Sequence, residues 1–162
     1  MSKVWIFIDF WNFQLTLNNR NGGPFHPDWL ILGPWLTNKA CGVVGVSSGT
    51  LEGISVYSSY DPNSPDDVRH HRWATAWLNM QPAFDVQCMP RKPKNFPRCS
   101  TCHKQIQICP QCHQKMKNTV EKGVDASIAT DLIRLAWEQA YDIGVLVTLD
   151  ADLIPAVKFL IS

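Results

Sequence analysis

Residues 124–152, VDASIATDLIRLAWEQAYDIGVLVTLDAD, hold a helix pattern, a strand pattern and a pair of acids in direct succession. Ile128, Leu132, Leu135 and Ala136 recur at helical spacing, which predicts a helix over about 124–140. GVLVT at 144–148 is a continuous apolar run, as a strand buried on both faces requires. Such a strand needs helices above and below it, and Asp150 and Asp152 then follow its carboxyl end.

Three more apolar runs fit the same scheme, at 4–8, 54–60 and 84–89. The first ends at Asp9, the second at the turn Asp61-Pro62-Asn63-Ser64 and the third at Pro90. Ser64, Pro65, Asp66 and Asp67 form a helix start, with a capping hydroxyl, a proline suited to the first position and carboxylates at the positive end of the dipole. That helix is expected to reach about Met80 and to bury Trp73, Ala76, Trp77 and Met80. Gly22, Gly23, Pro24 and Pro27 mark a loop, after which Pro34 is expected to open a short helix through Trp35, Leu36 and Lys39. Strands alternating with helices predict parallel βαβ units. No internal repeat or low-complexity tract stands out.

The 162 residues, 45% hydrophobic and 18% charged, suit a single domain over 1–162 with a full core. The opening MSKVWIFIDF is too short and too early interrupted by Asp9 for a signal peptide, and no window approaches the length of a membrane span. A soluble, cytoplasmic protein is therefore expected. In that compartment paired CxxC motifs read as metal ligands rather than disulfides, while Cys41 and Cys88 read as small buried hydrophobes.

Net charge is only +1, yet it is polarised. Residues 91–122 carry eight basic side chains (Arg91, Lys92, Lys94, Arg98, Lys104, Lys115, Lys117 and Lys122) against the single acid Glu121. The rest of the chain holds the other seven of 15 basic and 13 of 14 acidic residues. A basic patch of this kind attracts a polyanion. Inside it lie Cys99, Cys102, Cys109 and Cys112, two CxxC pairs separated by six residues. Their four thiolates suit one tetrahedral structural Zn²⁺, with residues 103–108 expected as a tight β-hairpin. So short an insertion has no core, and zinc would supply most of its folding free energy.

The carboxylates make a second constellation. In an open α/β sheet, function gathers beyond the carboxyl ends of the strands. Asp9 ends the first strand, Asp150 and Asp152 follow the last, and Asp125 opens the helix before it. Like charges at one edge repel, and a hard divalent ion such as Mg²⁺ or Mn²⁺ relieves them. Asp131 lies about 240° round an ideal helix from Asp125, so it serves either at the rim or structurally. Asn12 either orients a water or phosphate or caps a helix starting near Phe13.

IFIDFWNF, at 6–13, and EKGVDASIATDLIRLAWEQAYDIGVLVTLDADLIPAV, at 121–157, resemble motifs of the NYN domains of the PIN-like nuclease superfamily, especially the LabA-like branch. The resemblance implies a PIN-like three-layer α/β/α sandwich around a mainly parallel sheet, with the four-cysteine zinc hairpin inserted at 91–122 before the KGVD helix. It implies metal-dependent ribonuclease chemistry, with Asp9, Asp125 and Asp150 in the acidic positions and Asp152, Asn12 and Asp131 in support. RNA is the expected partner in preference to DNA. Phe10 and Trp11 stand where the family has small residues and are expected to narrow the entrance. Thr148-Leu149-Asp150 replaces the usual Ser-Gly-Asp context. The sequence stops at Ser162, where the family continues to another strand, so an open sheet edge or a homodimer is expected.

Two other readings remain at this level. One is a nucleic-acid-binding or scaffolding module with a degenerate acidic site, working through the zinc hairpin. The other is a phosphotransferase, since VLVTLDADL resembles the strand-DxD motif of haloacid dehalogenase-like phosphatases.

Overall fold

The computed structural model describes residues 1–116 and 118–162. Four parallel strands form the main sheet: β1 (Ser2–Asp9), β2 (Gly49–Tyr60), β3 (Phe84–Pro90) and β6 (Ile143–Val147), in the order β3-β2-β1-β6. Between β3 and β6 come the short antiparallel pair β4 (Lys92–Pro93) and β5 (Thr119–Val120). Helices α1 (Phe10–Asn21), α2 (Trp29–Val44) and α3 (Pro65–Ala76) cover one face, and α4 (Val124–Trp137) and α5 (Ile154–Ile161) the other. The result is a three-layer α/β/α architecture.

Strand alternation divides the core. Val4, Ile6 and Ile8 of β1 join Ile54 and Val56 of β2 under α1–α3. Phe7 and Tyr57 turn the other way, against Val124, Ile128, Leu132 and Leu135 of α4 and Leu153. Each fully buried aliphatic or aromatic side chain of this kind contributes about 1.5–3 kcal/mol. Helix α2 approaches the sheet closely at Gly33, where a Cβ would lie 2.6 Å from Ile54 Cδ1. No helix is long and apolar enough to cross a membrane among the described residues.

Several boundaries differ from the sequence expectations. Helix α2 does not open at Pro34 but at Trp29, because the Asp28 carboxylate accepts from the amides of Leu30 and Ile31 and caps it. Pro34 is exposed inside the helix, where the Leu30 carbonyl it leaves without an amide partner can turn to water. Helix α3 stops at Ala76 and a 3₁₀ turn covers Leu78–Met80. Ala76, Trp77 and Met80, expected on its buried face, are exposed, and Ala74 and Leu78 are the residues that enter the core. Helix α1 starts at Phe10 rather than near Phe13, with Asp9 itself as the cap.

Candidate metal and nucleic-acid site

The chain passes from β1 outward to β2 and β3 with helices on one face, then crosses to the opposite side of β1 through α4 on the other face. The direction of winding therefore reverses between β1 and β6, and the crevice of an open sheet forms there. Asp9 ends β1 at this point, and the 148–152 loop follows β6.

Local bonds fix both sides. Asp9 is buried, accepts the Asn12 amide at 3.2 Å on Oδ1 and accepts the Thr148 hydroxyl at 3.2 Å on Oδ2. Asn12 does not cap α1; its Oδ1 accepts the Leu149 amide at 2.7 Å and holds the acid loop to the helix. Asp150 receives the Asp152 amide at 2.8 Å and caps the 3₁₀ turn Ala151–Leu153, while its own amide donates to Thr148 Oγ1 at 3.0 Å. Asp125 is exposed in the first turn of α4. That helix begins after Gly123, whose φ of 91° lies in the left-handed region that favours glycine.

Charge repulsion joins these groups. Burial pushes the Asp9 carboxyl above its ordinary value, and Glu121 and Asp125 push it further against the opposing hydrogen bonds. Partial desolvation also raises Asp125, exposed though it is, with added repulsion from Asp150, Glu121 and Asp152. Five carboxylates therefore feel one another at this rim. Among the described residues, no three His, Cys, Asp or Glu side chains stand close enough to hold one ion as placed.

Glu121 is the member that sequence reading passed over, since it figured only as the lone acid of a basic stretch. It follows β5 directly and accepts a hydrogen bond from Ser59 Oγ. Ser59 in turn accepts from Arg91 Nε at 3.0 Å. The alternation of β2 places Ser55, Tyr57 and Ser59 on the α4 side, which is the clue the sequence did contain.

Both oxygens of Asp131 are engaged by neighbouring side chains. Its Oδ2 accepts from Tyr57 Oη at 2.9 Å and Gln87 Nε2 at 3.0 Å, and its Oδ1 pairs with Arg134 at 3.1 Å. These bonds tie α4 to β2 and β3. Phe10 and Trp11 do not narrow the acidic crevice. Phe10 packs on Trp29 and His70 under α1–α3, and Trp11 donates from Nε1 to the Ser59 carbonyl at 2.7 Å.

The cysteine segment departs from the expected hairpin. Residues 103–108 do not fold back on themselves; each CxxC is instead its own turn, closed by the bridges Arg98↔Gln105 and Ile108↔Lys115. Cys99 N donates to Lys104 O and Cys109 N to Gln114 O, both at 2.9 Å. His103 and His113 both follow the second cysteine with left-handed φ, 57° and 56°. The two turns repeat with a period of ten residues, CSTCH at 99–103 and CPQCH at 109–113, an internal repeat where none was expected. In each, backbone amides and the second cysteine stabilise the first thiolate, so Cys99 and Cys109 lie below the ordinary thiol range.

Of the basic residues, Lys92, Lys94, Arg98, Lys104, Lys115 and Lys122 are exposed, and Lys117 lies outside the described residues. Arg91 is held within the protein: besides Ser59 it lies 5.6 Å over the Trp11 ring and 3.8 Å from Asp67. The insertion is rooted close to the carboxylates, through Thr119 Oγ1 on Asp61 at 3.4 Å and Arg91 N on Tyr60 O at 2.8 Å.

Fold and rim together define a parallel α/β domain with carboxylates gathered at its switch point, the arrangement of a nuclease-like domain. A family profile described as NYN domain matches residues 3–160, and the chain belongs to that family, whose members are typically nucleases. No curated protein and no solved structure matches the chain.

Proposed function

We propose that this NYN domain is a metal-dependent ribonuclease that hydrolyses phosphodiester bonds. The observation that carries the reading is the mutual repulsion of Asp9, Glu121, Asp125, Asp150 and Asp152 at the crevice between β1 and β6. An all-oxygen donor set of crowded like charges fits a hard divalent cation, Mg²⁺ or Mn²⁺. Asp9, Asp125 and Asp150 would hold it, with Asp152 and Glu121 beside them. Such an ion supplies positive charge to a phosphate oxygen and lowers the pKa of a water. The chain's own residues do the positioning: Thr148 and the Asn12 amide fix the Asp9 carboxylate, and the Asn12 side chain fixes the loop that carries Asp150.

A single structural zinc would draw the two cysteine turns together through Cys99, Cys102, Cys109 and Cys112, and backbone amides already favour the thiolates of Cys99 and Cys109 as donors. The exposed lysines and Arg98 around them would contact phosphates along the strand. The test is cleavage of labelled single-stranded RNA in Mn²⁺ against EDTA by wild type and Asp9→Asn. Mn²⁺-dependent cleavage that Asp9→Asn abolishes supports the reading. A clean Asp9→Asn protein with full activity overturns the metal assignment, and binding without cleavage by the wild type identifies a non-cleaving module.

A further inference from the structure

A cavity of about 680 Å³ opens on the face of the sheet opposite Asp125, between α1, α3 and the start of α2. Its walls are aromatic: Phe10 and Trp29 stack at 5.8 Å and 13°, and Trp73 and Trp77 at 5.9 Å and 21°. Trp77 is 42% exposed at the edge, and Arg69 is also exposed there. We propose that this cavity receives an unpaired nucleobase of the bound strand, next to the nucleotide at the carboxylates. The inference rests on the nuclease reading for its neighbour, though not for its own chemistry.

Four observations point to a base. Trp77, the exposed member of the Trp73–Trp77 stack, can stack on any nucleobase, since every base presents a π-face, while buried Phe10 and Trp29 form the floor behind it. The lining is mainly apolar, and the half-buried imidazole of His70 is uncharged: desolvation lowers it to about 4, so His70 presents no cation that would need an anion inside the pocket. The charge sits at the edge, where the Arg69 guanidinium, paired with Asp66, can meet the phosphate that follows a base. Finally, two residues of the cavity wall adjoin the acidic rim along the chain. Phe10 and Trp11 directly succeed Asp9, so the Trp11 Cα lies within about 7 Å of the Asp9 Cα by the reach of the chain. Trp11 bonds to Ser59, which bonds to Glu121, and Arg91 covers the same indole. One wall of the pocket and one acid of the rim are thus held by the same serine.

The experiment uses the whole chain. Adenosine 5′-monophosphate is titrated against ribose 5-phosphate while the indole N–H signals are followed by NMR. Affinity for single-stranded RNA is then measured by anisotropy with the Asp9→Asn protein and with its Trp77→Ala, Trp77→Phe and Arg69→Gln derivatives. The nucleotide, and not the sugar phosphate, should shift the Trp73 and Trp77 signals saturably. Trp77→Ala should weaken RNA binding about ten-fold and Trp77→Phe should recover most of it. Arg69→Gln should weaken it less and flatten the salt dependence. Equal responses to the nucleotide and the sugar phosphate overturn the proposal, as does a folded Trp77→Ala protein that binds RNA with unchanged affinity. Indole shifts produced by a proline-rich peptide but not by the nucleotide overturn it in favour of a protein partner. RNA cleavage that is normal in Trp77→Ala and at abasic positions removes the pocket and leaves the nuclease reading. Saturable nucleotide binding in a protein that cleaves no RNA keeps the pocket and removes that reading.

Discussion

Asn12 accepts the Leu149 amide at 2.7 Å, joining the first turn of α1 to the loop that carries Asp150 and Asp152. The two residues are 137 positions apart, and this bond sets one side of the crevice against the other. Asn12→Ala is therefore expected to cost about 1 kcal/mol of stability and to lower kcat by about 10–100-fold, with little change in RNA affinity. Urea unfolding and single-turnover cleavage measure the two effects. An intact kcat would show that the loop keeps its place without the bond.

Glu121 is expected to matter as much as the acids at the strand ends. Glu121→Gln keeps its bond to Ser59 but removes one charge from the rim, and should reduce Mn²⁺-dependent cleavage by about 10–100-fold. Ser59→Ala should have a smaller effect, because Glu121 keeps its charge. Metal titrations of both variants separate a weaker metal affinity from a lower rate at saturation.

Metal and pH should act together on stability. Asp9 and Asp125 have folded-state pKa values above 3.8, so their favourable contribution is present below 3.8 and is lost as pH rises through the raised values. Once charged, each is repelled by its acidic neighbours. Asp9→Asn, which retains a competent helix cap, should therefore raise Tm at pH 7 by about 2–4 °C in EDTA. Mn²⁺ should raise the wild-type Tm at pH 7 and leave it unchanged near pH 3.5. Thermal melts across that range check the sign.

His70 should work in the opposite direction. Its folded pKa is about 4 against an ordinary 6.5, so its contribution is complete above 6.5 and is lost as pH falls toward 4. The slope from this one proton is at most about 1.4 kcal/mol per pH unit. His70→Gln, which can still bond Ser58, should flatten the acid limb relative to wild type in urea unfolding between pH 7 and pH 4.5.

The cysteines should control the insertion and not the sheet. Purified protein is expected to hold about one zinc per chain, and Cys99→Ser with Cys109→Ser should abolish it. RNA affinity should then fall while the main unfolding transition stays put, since the core clusters of the main sheet contain none of the four cysteines. Zinc analysis and calorimetry on the same samples test the separation.

Much of this molecule was determined by the sequence alone. The apolar runs at 4–8, 54–60, 84–89 and 144–148 lie within β1, β2, β3 and, but for one residue, β6; the central strands β1 and β2 are buried on both faces as such runs require, whereas β3 and β6, the latter expected to be buried on both faces, are sheet edges and only partly buried. Asp9, Asp150 and Asp152 could be placed at one rim because they follow strand ends in a parallel sheet, and Asp125 because it opens the helix that leads into the last strand. Tertiary structure decided the rest. Glu121 and Ser59 belong to the rim through a pairing 62 residues apart that no local pattern encodes. Asp131 has the residue type of a site member, yet Tyr57, Gln87 and Arg134 engage it. Phe10 and Trp11 read as obstructions beside Asp9, and only the turn from strand to helix sent their rings to the other face. A sequence fixes which side chains alternate and which cap; the partner that each carboxylate or indole meets depends on the packing of distant segments.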